Sequence, residues 1–133
     1  MPEGPVVFTN GIFDILHRAH VGLLKECKQI AGHNGIVCVG INSDESTYQL
    51  KGPTRPINNH HDRKYILEAL TYVDNVYIFT QDTPYELIKE LKPDIIVKGG
   101  DYQPHEVVGN DIAKVLIYPY QDGYSTSSIV GEK

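Results

Sequence analysis

A chain of 133 residues, 41% hydrophobic and 22% charged, has room for one domain with its own apolar core and no need of covalent staples. Its net charge of −5 disfavours nucleic acid or an anionic membrane as partner, while small anionic substrates stay open because local groups decide those. Two cysteines are too few for a disulfide framework or a thiolate metal site.

No apolar run reaches the roughly 18 residues of a membrane span. The opening MPEGPVV has neither the basic nor the apolar region of a secretory signal, so a reducing cytoplasm is the expected setting. Residues 6–9, VVFT, form a short apolar run suited to a buried parallel strand. From Val21, apolar residues recur at Leu23, Leu24, Cys27, Ile30 and Ala31, which is helical spacing, and Gly32 follows as a stop. Residues 35–42, GIVCVGIN, make a second strand. Residues 43–61 carry two prolines and many polar groups and read as a long loop with at most a turn of helix at its start. A helix is expected over 61–73, with Ile66, Leu67, Leu70 and Val73 on its apolar face. NVYIF at 75–79 is a third strand. Residues 82–92 form a helix with Thr83 as N-cap, Pro84 at its first position and Glu86 closing a capping box. Strands follow over 93–102 and 114–120, and the hydroxyl-rich stretch 123–130 enters a short helix. No segment repeats.

Strands alternating with helices imply an α/β fold: a Rossmann-like, doubly wound parallel sheet of about five strands. Such sheets bind ligands beyond the carboxyl ends of their strands, where the strand order reverses. The polar clusters of this chain fall at those ends. Thr9, Asn10, Gly11, Asp14, His17 and His20 follow the first strand, and Lys51, Arg55 and Arg63 follow the second. Lys98, Gly99, Gly100 and Asp101 follow the fourth, and Ser125, Thr126, Ser127 and Ser128 follow the fifth. Glycines that admit close backbone approach, helix N-termini, lysines, arginines and hydroxyls together suit a polyphosphate. Neither a P-loop nor the glycine fingerprint of dinucleotide binders is present.

With FTNGIFDILHRAH, INSDEST, LKGPTRPIN, DTPYELIKELKPDIIVKGGDY and DGYSTSSI on the page, the chain resembles the cytidylyltransferase-like nucleotidyltransferases, from Phe8 to Ile129. Within them it is most similar to the adenylyltransferase domain of ADP-heptose synthase, and more distantly to glycerol-3-phosphate cytidylyltransferase. LKGPTRPIN and VKGGDY carry the heptose likeness; the histidine pair marks the superfamily. The resemblance implies attack of an acceptor phosphate oxygen on the α-phosphate of a nucleoside triphosphate, with pyrophosphate leaving and Mg²⁺ bridging phosphates. It implies that His17 and His20 donate N–H bonds to the phosphates, and that Thr9, Asn10, Gly11 and Phe13 shape the nucleotide pocket. Asp14 would orient the loop or help place the metal. Lys51 and Arg63 would face the triphosphate or the acceptor phosphate, and Lys98, Gly99 and Asp101 would border the nucleoside. Ser125, Thr126 and Ser127 match a Ser-Thr-Thr run whose helix terminus holds the β- and γ-phosphates.

Two positions depart from that pattern. The histidine motif usually has glycine where Ala19 stands, and residues 108–114 form a shorter segment than in the heptose enzymes. The sugar kinase often fused to that domain has no counterpart in these 133 residues, which are expected to form one nucleotidyltransferase domain. The expected substrates are ATP, or alternatively CTP, with a phosphorylated small-molecule acceptor, and a homodimer is a plausible assembly. A reading from another class is a degenerate module that binds nucleotide without turnover. A zinc site at the histidines is disfavoured, because His33, His60, His61 and His105 follow no ligand spacing.

Overall fold

The computed structural model describes residues 3–119, so the expected segment 123–130, with Ser125, Thr126 and Ser127, lies outside the described residues. Ten elements follow in chain order: β1 (Val6–Gly11), α1 (Arg18–Ala31), β2 (Ile36–Asn42), α2 (Asp44–Lys51), α3 (His60–Glu68), β3 (Asn75–Phe79), α4 (Tyr85–Leu91), β4 (Ile95–Gly99), a one-turn 3-10 helix (Pro104–Glu106) and β5 (Lys114–Tyr118). The strands form one parallel sheet in the order β3-β2-β1-β4-β5. No helix among the described residues is long and apolar enough to cross a membrane.

Period-two alternation assigns the side chains to two faces. Val7, Val37, Val39, Ile41 and Val97 pack with Leu23, Leu24, Cys27 and Leu67 from α1 and α3. Phe8, Cys38 and Ile96 point the other way, against Ile88 of α4 and Val107. Gly40 of β2 lies on the α4 side, where a Cβ would sit 2.9 Å from the Phe8 ring and 3.0 Å from Leu87; glycine makes room for that ring. Both cysteines are buried and unpaired, as expected of core residues.

The chain runs outward from β1 to β2 and β3, then returns to lay β4 on the other side of β1. The two neighbours of β1 are held differently. β2 pairs with it over six residues, from Val6↔Ile36 to Gly11↔Ile41, whereas β4 pairs only at Val7↔Ile95 and Phe8↔Ile96. Past Phe8 the ladder between β1 and β4 ends, and a crevice opens between Thr9–Gly11 and the end of β4. This is the topological switch point.

Three boundaries differ from expectation. Residues 44–51 are a two-turn helix rather than loop, because Ser43 caps it by accepting from the Ser46 N–H at 3.2 Å. The helix expected over 61–73 stops at Glu68; Asn59 caps its start, and Ile66 is turned outward at 42% exposure. Pro84 is the cap residue of α4 with no side-chain cap bond, and Thr83 Oγ1 only accepts from the Tyr85 N–H at 3.4 Å, so the expected capping box does not form.

Candidate active site

The connection from β1 to α1 crosses Ile12–Leu16 in a turn whose sharpest point is Phe13, at φ 50°. A non-glycine residue in the left-handed region costs roughly 1–2 kcal/mol and persists only when its surroundings hold it. Here burial of the Phe13 ring, 3% exposed, is the holding force. Gly11 fits beneath, since a Cβ there would come within 3.0 Å of that ring.

α1 begins at Arg18, three residues earlier than the apolar spacing suggests, with His17 as its N-cap residue. His17 makes no side-chain capping bond and the first turn carries no acid. The leading N–H groups and the positive end of the helix dipole are therefore left for an anion. The His17 and His20 rings stack with centroids 3.7 Å apart, and Phe13 lies 4.9 Å from His20. The Nδ1 atoms of both histidines, and Thr9 Oγ1, are buried without a hydrogen-bond partner among the described residues.

Burial pushes the His20 imidazole down to about 4, the His17 ring adds to this, and the Ile15 backbone opposes it. Burial lowers His17 too. His20 titrates near 6.5 in an unfolded chain and lower in the fold, so its contribution to stability is complete above pH 6.5 and lost as pH falls toward about 4. The loss is on the order of 2 kcal/mol after allowance for the ring's residual solvent contact. Thermal melts across that window should show the decline and His20→Gln should flatten it; identical pH slopes for parent and variant would reject this origin.

Ala19 is buried, 2% exposed. Its methyl group is covered by the protein itself rather than presented to an open cleft. Ala19→Gly is therefore expected to cost about 1 kcal/mol of stability, the helix propensity difference, with turnover changed less than about twofold. Denaturant midpoints and initial rates check it; a large gain in rate would show that the methyl group obstructs the site.

A latch spans the far side of the turn. Asp14, 3% exposed, accepts from the backbone N–H groups of Ile57 and Asn58 at 2.8 Å and lies 3.7 Å from Arg55. Asn58 Nδ2 donates to the Asp14 carbonyl. Of the two expected roles of Asp14, orienting the loop is the one the geometry serves; its carboxylate is committed. Arg63 lies deeper than expected. The resemblance has it facing the triphosphate or the acceptor phosphate, yet it is 1% exposed. Its guanidinium donates to the carbonyls of Asn58, Ile12 and Asn42 at 2.8–2.9 Å and to Asp44 Oδ1 at 3.0 Å. Every nitrogen is used inside the protein, an arrangement suited to positioning the β1–α1 turn. Phe13 likewise acts from within the core, and not as an open wall of the pocket.

The crevice between β1 and β4 continues into a cleft of about 410 Å³. Asn10, Gly11, Lys51 and Lys98 line it, together with Asp82, Tyr102 and Glu106, which the sequence did not single out. Lys98 lies 5.4 Å from the Tyr102 ring centroid, and its ammonium is lowered from the usual lysine range by burial. Lys51 reaches in from the end of α2. Gly99 is buried in β4, while Asp101 is exposed and is not part of this lining. The described residues assemble no group of three His, Cys, Asp or Glu side chains able to hold a metal. Asp14 already holds the latch, and Mg²⁺ in sites of this kind needs only one or two protein carboxylates beside the substrate's phosphates.

The comparisons with known proteins agree with this geometry. The cytidylyltransferase-like family model matches residues 8–132. Bifunctional protein HldE of a Nitratiruptor species is 55% identical over 126 residues, covering 94% of this chain and 27% of that protein. HldE of Helicobacter pylori is 47% identical over 131 residues, covering 98% and 28%. The chain thus spans about a quarter of the length of these curated relatives. The crystal structure of the lipopolysaccharide core biosynthesis protein from Thermoplasma volcanium superposes with a TM-score of 0.72 at 27% identity, covering 92% of this chain and 99% of that one. Pantothenate synthetase from Thermus thermophilus, at 17% identity and TM-score 0.64 over 96% of this chain and 61% of that one, shares the fold. Family match, parallel sheet and histidine pair at an uncapped helix start lead to one conclusion: the chain belongs to the cytidylyltransferase-like family of nucleotidyltransferases.

Proposed function

We propose that this chain transfers the nucleoside monophosphate of a nucleoside triphosphate, ATP first, to a heptose phosphate and releases pyrophosphate. The observation that carries the reading is the stacked His17–His20 pair at the uncapped start of α1, beside a cleft lined by Lys51 and Lys98. The likeness to HldE proteins supports the acceptor class.

In this reading the triphosphate lies against the first turn of α1, and the cleft beyond Gly11 holds the acceptor. A phosphate oxygen of the acceptor forms a bond to the α-phosphorus as the bond to the β-phosphate oxygen breaks. The electron pair leaves with pyrophosphate, and no covalent intermediate on the protein is required. His17 and His20 donate N–H bonds to oxygens whose charge grows along this path. Lys51 and Lys98 supply positive charge from the cleft side. Any Mg²⁺ is carried by the phosphates. Asp101, and Ser125, Thr126 and Ser127, belong to the proposal as nucleotide contacts through the family resemblance alone. The same proposal places the reaction in the cytoplasm, where the triphosphate is supplied.

The test is pyrophosphate release, measured with ATP and with CTP against heptose 1-phosphate and glycerol 3-phosphate. Release with ATP and heptose 1-phosphate is expected. Preference for CTP would move the chain to the cytidylyltransferase side of its family, and no release with any pair would sink the enzymatic reading.

A further inference from the structure

The charges around the cleft are mixed. Lys51 and Lys98 share it with Asp82, from the β3–α4 connection, and Glu106, from the 3-10 turn before β5. The described residues form no ion pair between these lysines and these acids. Opposite charges are held apart around an open volume instead of neutralising one another. A ligand that was only a phosphate would gain from the lysines and be repelled by the carboxylates. A carboxylate accepts hydrogen bonds and donates none, so the matching ligand must bring donors. Glu106 is already aimed: its Oε1 accepts from the Gln103 N–H at 2.8 Å, fixing the carboxylate and leaving the second oxygen available. Leu50, Tyr102 and Val108 add apolar lining. Cations for a phosphate, acceptors for hydroxyls and apolar surface for C–H faces are the three demands of a sugar phosphate. The volume, about 410 Å³, is that of a small-molecule pocket.

Resting on the function proposed above, we propose that Asp82 and Glu106 are the specificity-determining residues of the acceptor site, accepting hydrogen bonds from the acceptor's hydroxyl groups and selecting polyhydroxylated phosphates over simple alkyl phosphates. Asn10, Gly11 and Lys98, expected to border the nucleotide, line this cleft with Lys51, while His17 and His20 lie outside its lining; in the function proposed above the cleft takes the second substrate, presented across Gly11 to the phosphate at α1, and Lys98 moves from the nucleoside to the acceptor side. The short β4–β5 connection builds this wall, because Glu106, Val107 and Val108 all belong to it.

Asp82→Asn and Glu106→Gln test the assignment. Both residues are exposed, and the side-chain carbonyl of the Glu106→Gln variant can still accept from the Gln103 N–H. Each change is expected to raise KM for heptose 1-phosphate about tenfold or more, the value of a charge-assisted hydrogen bond, with KM for the triphosphate unchanged. Inhibition by ethyl phosphate, which has no hydroxyl group, should stay the same or tighten. Calorimetric titration of heptose 1-phosphate into parent and variants gives the same comparison without turnover, so a chain that fails to release pyrophosphate still tests this site. Equal acceptor affinity in the parent and both variants overturns the proposal, as does an effect confined to the triphosphate.

Discussion

His17→Asp is expected to make the protein more stable and nearly inactive. His17 occupies the N-cap position with extended backbone, φ −140° and ψ 178°, yet its ring caps nothing. Aspartate is among the best N-cap residues: its carboxylate accepts from the N2 or N3 amide and meets the positive end of the helix dipole. The gain is about 1 kcal/mol. That same carboxylate would occupy the amides and field that a triphosphate needs, and a donor aimed at the developing charge would be lost with the imidazole. Removing one such donor costs roughly 10²–10³-fold in rate, and a like charge beside the phosphates adds to it. His17→Ala should show a loss of the same order without the stability gain, because no capping bond exists to lose. Thermal unfolding and pyrophosphate release, read side by side, check both signs. A merely structural histidine would give the reverse pattern, an unchanged rate with altered stability. If His17→Asp turns over at the parental rate, the placement of the triphosphate at α1 is wrong.

The fold was legible wherever apolar periodicity was strong. All five strands appear in the expected places, and the alternation of strands and helices gives the parallel sheet. The sequence was ambiguous where polar residues mask a helix. DESTYQLK buries only Ser46 and Thr47, so no apolar stripe announces α2, although Ser43 followed by two acids was a usable start signal. The Thr83-Pro84-Tyr85-Glu86 capping box failed because local cap chemistry gave way to tertiary placement: Pro84 is buried and lines the cleft.

In the site, the histidine pair was legible because its spacing meets a strand-to-helix turn. Ala19 stood out as a departure, and its burial keeps its methyl group away from the open cleft. The role of Arg63 was not legible. A charge followed by apolar residues in a helix looks alike whether it faces a ligand or three backbone carbonyls, and only the fold shows which carbonyls converge on it. Ile57 and Asn58 of the latch escaped for the same reason, since their partner Asp14 lies 43 and 44 positions away.

Arg63→Ala is expected to have the largest effect on stability of any single change outside the apolar core. The guanidinium joins four separate segments: Ile12 in the β1–α1 turn, Asn42 at the end of β2, Asp44 at the start of α2 and Asn58 in the latch. The ion pair with Asp44 is the lesser part, because that carboxylate is 37% exposed and solvent screens it. The carbonyls decide the outcome. Truncation leaves three of them without this donor, the buried Asn42 carbonyl at about 1–3 kcal/mol and the half-buried Ile12 and Asn58 carbonyls at less because water can reach them, and it opens a void where a fully buried side chain stood. Partial collapse and water entry reduce the sum, so about 3–5 kcal/mol is expected, a large share of the roughly 5–15 kcal/mol that separates a typical domain from its unfolded state. Arg63→Lys retains the charge but replaces a planar fork by a single ammonium, which cannot serve Asn58 on one side and Ile12 and Asn42 on the other. It should recover less than half of the loss. Denaturant unfolding of parent, Arg63→Lys and Arg63→Ala gives the series. Kinetics of the lysine variant separate the two roles argued for this residue. A positioning arginine predicts a lower kcat with a stable, slightly loosened β1–α1 turn, and added inorganic phosphate or guanidinium should not restore it. A direct phosphate contact predicts instead a KM effect with stability near parental, and that result would return Arg63 to the substrate side of the site.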